Sequence, residues 1–288
     1  LDLVHLMIEK KKQKFALTGS SARKLKRGKA NLLAGRAFVF SLFPLTHREL
    51  DAGFDLQSAL TFGTLPGLLE LKGTRDKVLY LKAYAETYLK EEILVEQLIR
   101  KLPPFRKFLE LAAVADTEVV SYTNIAKDIQ SDPRIVANYY AILEDTLLGF
   151  FLEPFHTSLR KRQRKAPKFY FFDTGVRRAL SGMIDNPVPA RSYEYGSLFE
   201  SFVVNEIYRL LSYAERSFRL SYIRISDRSE IDLVVERAGL PTYLIEIKST
   251  ERVDERHCAA AAALAKDIKK SIPVVLSDDA LAKKIDGV

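Results

Sequence analysis

Ser229-Glu230-Ile231-Asp232-Leu233 is followed, after a short gap, by Tyr243-Leu244-Ile245-Glu246-Ile247-Lys248. Each segment reads as a strand, with Gly239 and Pro241 supplying the turn chemistry between them. Side chains alternate faces along a strand, so Glu246 and Lys248 point one way while Ile245 and Ile247 point the other. Two carboxylates and an ammonium converging on one side of a hairpin describe a site for a hard divalent cation, Mg²⁺ or Mn²⁺, with a lysine beside it. Such cations take carboxylate oxygens and water, and they activate that water for attack on a phosphodiester. The competing reading is three solvated charges on an edge hairpin. The apolar residues on the other face weigh against it.

The surrounding pattern supplies a frame for these residues. Gly196 to Leu211 reads as a helix with Leu198, Phe199, Phe202, Val203, Ile207 and Leu210 on its buried side. Glu200 lies one turn after Gly196, off the most apolar face, and Glu206 is a weaker candidate on the same helix. Strands are predicted at 218–225, 230–236 and 242–248, then an alanine-rich helix from Asp254 to about Lys269, then a strand from Ile272 to Leu276. A linker holding Pro187 and Pro189 spans Met183 to Arg191 and separates this part from what precedes it.

Upstream, Phe15 to Thr18 and Ala37 to Leu42 read as two strands around a basic, helix-like segment, an α/β pattern. The pattern turns helical from about Thr46. A long amphipathic stretch runs from Asp76 to Ile99, and Phe105 to Val114 forms a further helix. Ser121 to Ile129 and Ser131 to Leu147 form two more, the second with Ser131 as its N-cap. Strands at Gly149 to Pro154 and Lys168 to Phe172 flank a basic loop. Three helices and a two-stranded wing make a winged-helix layout. Its last helix offers Arg134, Asn138 and Tyr139 as exposed positions, with Ile135, Ile142 and Leu143 inward. Arg160, Lys161, Arg162, Arg164 and Lys165 fall where a wing tip would meet phosphates, or else form a solvated loop.

The chain has 288 residues, enough for two or three cores, and its net charge of +8 permits a nucleic-acid partner without requiring one. No apolar run reaches the roughly 18 residues that span a bilayer, so no membrane partner is expected. One cysteine, Cys258, excludes an internal disulfide framework and a cysteine-based zinc site, which fits a reducing cytoplasm. His5, His47, His156 and His257 have no mutual spacing for ligation or a triad, and Cys258 reads as a small core residue.

The Asp232/Glu246/Lys248 set and its α-β-β-β-α-β frame resemble the PD-(D/E)xK nuclease fold. Several further phrases are similar to those of prokaryotic AAA-type ATPases that end in a nuclease-like domain of unknown function. They are Phe15 to Ser21, Leu33 to Arg36, Pro44 to Thr46 with Glu49-Leu50, Phe105 to Leu111, Tyr139 to Leu148, Pro167 to Gly175 and Gly196 to Glu206. The resemblance implies an α/β and α+β multidomain chain in three parts. These are a truncated P-loop ATPase remnant at about 1–60, a helical and winged-helix region at about 61–185, and a PD-(D/E)xK nuclease-like α/β domain at about 190–288.

The resemblance also implies roles. Asp232 and Glu246 would ligate the metal, Glu200 would join them through metal-bound water, and Lys248 would orient the attacking water. Ser20 and Ser21 would be a polar sensor of a γ-phosphate, or simply a helix N-cap. Arg36 would sense the same phosphate, or be a surface arginine at a turn. Such ATPases carry a Gly-x-x-x-x-Gly-Lys-Ser/Thr loop, which this sequence lacks. The expectation is therefore the C-terminal portion of a cytoplasmic ATP-binding protein, with ATP bound productively by the longer parent and not by this chain. Its expected partner is DNA, cut with Mg²⁺ or Mn²⁺. The alternatives are a non-catalytic DNA-binding module and a module for a protein partner or self-association.

Overall fold

The computed structural model describes residues 2–18, 38–87, 99, 102–155, 166–215, 217–226, 229–285 and 287–288. The described residues form ten α-helices and six strands in a mixed α/β arrangement. The first four helices are α1 (Asp2–Lys11), α2 (His47–Leu50), α3 (Leu56–Phe62) and α4 (Thr74–Thr87). Next come α5 (Leu102–Val114), α6 (Tyr122–Asp128) and α7 (Pro133–Asp145), then the hairpin β1 (Gly149–Pro154) and β2 (Lys168–Phe171). The rest is α8 (Thr174–Leu180), α9 (Tyr193–Tyr213), β3 (Phe218–Ser226), β4 (Ser229–Arg237), β5 (Thr242–Lys248), α10 (Glu255–Asp267) and β6 (Ser271–Ser277).

All six strands belong to one sheet, ordered β2-β1-β3-β4-β5-β6. β3, β4 and β5 run antiparallel, and β6 returns parallel to β5 through α10, the crossover that a parallel pair requires. The β1–β2 hairpin joins the same sheet, because β1 lies parallel to β3 with Glu153 opposite Ser221 and Pro154 opposite Tyr222. The sheet thus takes strands from both sides of the proline-containing segment at 183–191.

Two helices sandwich the sheet. On one side Tyr195, Leu198, Phe199 and Phe202 of α9 pack on Leu233, Val235, Ile245 and Ile247. On the other, Ala261 and Leu264 of α10 pack on Ile231, Val234 and Leu244. Both helices start at side-chain caps: Ser192 accepts from the Tyr195 amide, and Asp254 accepts from those of Arg256 and His257. Cys258 is buried at the α10 contact as a small core residue.

The second core gathers Phe105, Phe108 and Leu109 of α5 with Val136, Tyr140 and Leu143 of α7 and Phe169 and Phe171 of β2. Val119 bridges antiparallel to Lys168, adding a third extended segment beside the hairpin. Three details differ from the sequence reading. Asp132, not Ser131, caps α7, its carboxylate accepting from the Arg134 amide with Pro133 in the first turn. Tyr139 is buried edge-on against Phe105 with ring centroids 5.0 Å apart, while Ile135 is 42% exposed. The buried stripe runs through Val136, Tyr139, Tyr140 and Leu143 at helical spacing, and Ile135 falls outside it.

Among the described residues, the expected N-terminal strands are not formed, and Ala37, the first residue of the second, lies outside them. Residues 12–18 and 38–43 are neither helix nor strand, and Phe38 and Leu42 are each 90% exposed. A strand needs a neighbour to take its backbone hydrogen bonds, and among the described residues none lies alongside. Of the long helix expected from Asp76 to Ile99, the part to Thr87 is helical and residues 88–98 lie outside the described residues.

Helix α8 crosses α3 at Gly175, where Thr174 donates its hydroxyl to the Ala59 carbonyl at 2.6 Å. A Cβ on Gly175 would lie 1.9 Å from the Phe62 carbonyl oxygen. The obstacle is backbone, so the two helices must part. Gly175→Ala is expected to cost about 3 kcal/mol or more, read as a lowered denaturant midpoint. An unchanged midpoint would contradict this packing.

Candidate active site

A β-bulge sets the site. Ser221 pairs with Val234 and Ile223 with Ile231, so Asp232 and Leu233 together face the single residue Tyr222. The extra residue breaks the alternation: Ile231 packs toward α10, whereas Leu233 packs toward α9. Bulges re-aim side chains in this way. The β4–β5 register runs through Leu233↔Ile245, and one further step brings Asp232 opposite Glu246. There the Asp232 Oδ2 accepts from the Ile247 amide at 2.7 Å, taking the place of a ladder acceptor.

On β5, the Lys248 ammonium contacts Glu246 Oε1 at 2.5 Å, so the two residues share a side as the period of the strand predicts. Among the described residues, Glu246 Oε2 is buried without a hydrogen-bond partner. Glu200 projects from α9. Its Oε1 accepts from the Tyr170 hydroxyl at 2.7 Å and meets the Lys168 ammonium at 3.3 Å. Lys168 also contacts Glu230 Oε1 at 2.6 Å and lies 5.5 Å from the centroid of the Tyr222 ring. A cavity of about 250 Å³ is lined by Glu200, Asp232 and Lys248, with Tyr193 and Glu118 at its wall. The Tyr193 hydroxyl donates to Glu118 Oε1 at 2.7 Å, joining α9 to the turn after α5.

The electrostatics follow from burial. Desolvation, with Asp232 nearby, pushes the Glu246 carboxyl up to about 7. Desolvation also pushes Glu200 up to about 7, against the pull of Lys168, and raises Asp232. Burial disfavours the ammonium of Lys248, but Asp232 and Glu246 outweigh it and its pKa rises. Lys168 shifts upward in the same way, because Glu200 and Glu230 outweigh its burial. The two lysines are therefore charged at neutral pH, and Glu200 and Glu246 exchange protons near it.

The structure brings Asp232, Glu246, Lys248 and Glu200 into one neighbourhood, but it does not draw Glu200 into a ligand trio. No group of three or more histidine, cysteine or acidic side chains able to hold a metal forms among the described residues. Glu200 faces Tyr170 and Lys168 instead. The pair that could hold a divalent cation is Asp232 and Glu246, where a buried oxygen of Glu246 has no hydrogen-bond partner among the described residues. Glu206 sits elsewhere, accepting from the His47 backbone amide at 2.9 Å and contacting His47 Nδ1 at 2.6 Å.

Arg134 and Asn138 are exposed on α7. Arg160, Lys161, Arg162, Arg164 and Lys165 lie outside the described residues, as do Ser20, Ser21 and Arg36. A larger cavity of about 530 Å³ between α4, β1 and α9 is lined by Phe43, Tyr84, Phe150 and Tyr208 among others, with no carboxylate, lysine or histidine among the described residues. Sequence reasoning passed over Lys168, Tyr170 and Glu230. The signals were a lysine and a tyrosine two apart in an otherwise aromatic strand, and a glutamate two before Asp232.

Residues 53–186 match the family model of a domain of unknown function (DUF8612), and residues 195–287 match that of another (DUF4143). Two curated mycobacterial proteins are each 29% identical over 240 residues: the uncharacterized protein Mb2031c of Mycobacterium bovis and the uncharacterized protein Rv2008c of Mycobacterium tuberculosis. The alignments cover 82% of this chain and 52% of each relative, so the chain spans about half the length of the curated relatives it matches. No solved structure matches the chain. Among the described residues, no helix is long and apolar enough to cross a membrane.

Proposed function

We propose that the chain carries a PD-(D/E)xK-type site for divalent-cation-dependent hydrolysis of DNA phosphodiesters, within a longer cytoplasmic AAA-type ATPase. The observation that carries this reading is the bulge that sets Asp232 against Glu246, with an unbonded buried Glu246 oxygen and Lys248 beside it. Asp232 and Glu246 would hold Mg²⁺ or Mn²⁺, which when bound supplies Lewis-acid activation of water. Lys248, charged and 39% exposed at its side chain, offsets charge developing on the phosphate. Glu200, poised near neutrality, takes a proton from the attacking water. Helices α5 to α7 with the β1–β2 hairpin support a winged-helix reading, in which Arg134, Asn138 and the basic residues 160–165 meet the DNA backbone. In the longer parent, ATP would be sensed through Ser20, Ser21 and Arg36.

Supercoiled and single-stranded DNA incubated with Mn²⁺ or Mg²⁺ should be cut, and EDTA should stop the cutting. A second reading has its own support: Lys168 already neutralises Glu200 and Glu230 inside the site. On that reading the site grips DNA without cleaving it. Salt-sensitive binding with no metal-dependent cutting would favour the grip, since phosphate contacts weaken steeply with salt. Neither cutting nor binding would point to a protein partner.

A further inference from the structure

We infer that the β1–β2 hairpin supplies two positioning residues, Lys168 and Tyr170, which aim the Glu200 carboxylate into the candidate site, so that the site is built across two parts of the chain. This rests on the hydrolytic reading above. Lys168 and Tyr170 are two apart on β2 and share a face, while Phe169 and Phe171 pack into the helical core on the other. Both polar groups converge on one oxygen, Glu200 Oε1, at 3.3 and 2.7 Å. Glu200 also lines the cavity, beside Asp232 and Lys248. A carboxylate held by two donors at one oxygen keeps its other oxygen for the cavity.

The design is costly as mere packing. Lys168 is 4% exposed, and taking an ammonium out of water is repaid only by good pairing. Replacing buried ion pairs with apolar residues is often neutral or stabilising, and the rest of β2 is aromatic. A lysine here is better explained by what it holds. The hairpin that carries it is itself fixed to the sheet by the β1–β3 pairing, and the Tyr222 hydroxyl donates to the Ala166 carbonyl at 2.6 Å. The two family matches divide at this contact. Lys168 and Tyr170 fall within 53–186, whereas Glu200, Asp232, Glu246 and Lys248 fall within 195–287.

The test uses the full chain with Tyr170→Phe and Lys168→Met. DNA cleavage in Mn²⁺ gives kcat and KM, electron paramagnetic resonance of free Mn²⁺ gives metal affinity, and thermal melting gives the unfolding midpoint. Misplacing a catalytic group lowers the rate of the chemical step, so Tyr170→Phe should cut kcat about 10-fold or more with KM and Mn²⁺ affinity unchanged. Lys168→Met should lose at least as much kcat, and its Mn²⁺ affinity should hold or rise, because a neighbouring cation has gone. Wild-type kcat in Tyr170→Phe would overturn the inference, as would losses that merely follow a fall in the unfolding midpoint. A wild-type chain that neither binds Mn²⁺ nor cuts DNA would instead bring down the hydrolytic reading, and this inference with it.

Discussion

Asp232→Asn is expected to reduce metal-dependent DNA cleavage by about 10³-fold or more while leaving the chain at least as stable as the wild type. The asparagine is nearly the same shape, and its side-chain oxygen can still accept from the Ile247 amide, which Asp232 Oδ2 now does at 2.7 Å. What it removes is a charge. Burial raises the Asp232 pKa, with Glu230 adding to the repulsion, so the ionised carboxylate is held there at a cost. A site that needs a buried anion for metal binding sacrifices stability for function, and neutralising it recovers part of that stability. Asp232→Ala is the poorer probe, since it leaves the Ile247 amide without its partner at a cost of about 1–3 kcal/mol. Cleavage assays paired with thermal melts decide the matter. Undiminished cutting by the asparagine variant would remove Asp232 from the site, and a large drop in melting temperature would mean that its role is structural.

How much of this was legible in the sequence depends on how local each signal is. The helices at 102–145 and 193–213 and the strands from 218 to 277 follow from apolar periodicity with caps and turns at their ends, all read within a few residues. The shared side of Glu246 and Lys248 needed only the strand period, and the 2.5 Å contact agrees with it. The bulge at Asp232 could not be read this way, because alternation counts residues on one strand and a bulge is a mismatch between two. Lys168 and Tyr170 were hidden for a stronger reason. Their approach to Glu200 depends on the parallel pairing of β1 with β3, whose partners Glu153 and Ser221 lie far apart in sequence. Phe15 to Thr18 and residues 38–42 failed in the opposite direction: apolar, β-prone segments were read as strands, but propensity alone provides no partner for the backbone.

The metal-free chain is expected to lose stability as pH rises from about 5 to about 8, and Mn²⁺ should restore it at the upper end. Glu200 and Glu246 both sit near 7 in the folded chain, raised by burial from an ordinary 4.5. The folded state therefore binds their protons more tightly than the unfolded state does. Their contribution is fully present below about 4.5, falls as the pH climbs, and is gone once it passes through about 7. Each group sets a slope of up to about 1.4 kcal/mol per pH unit, a few kcal/mol in all across the window. Burial also raises Asp116, Asp173 and Asp232, so the informative quantity is the difference between the wild type and Glu246→Gln. The glutamine variant should show a shallower decline and should be the more stable of the two at pH 8. A cation bound between Asp232 and Glu246 replaces the missing protons, and at 100 times its dissociation constant it adds about 2.7 kcal/mol. Melting curves at pH 5, 6, 7 and 8, with and without Mn²⁺, would show a metal-induced rise that grows with pH. Asp232→Asn should abolish that rise. A pH-independent midpoint, or an equal Mn²⁺ effect in the asparagine variant, would place the cation elsewhere and leave the buried Glu246 oxygen without a function.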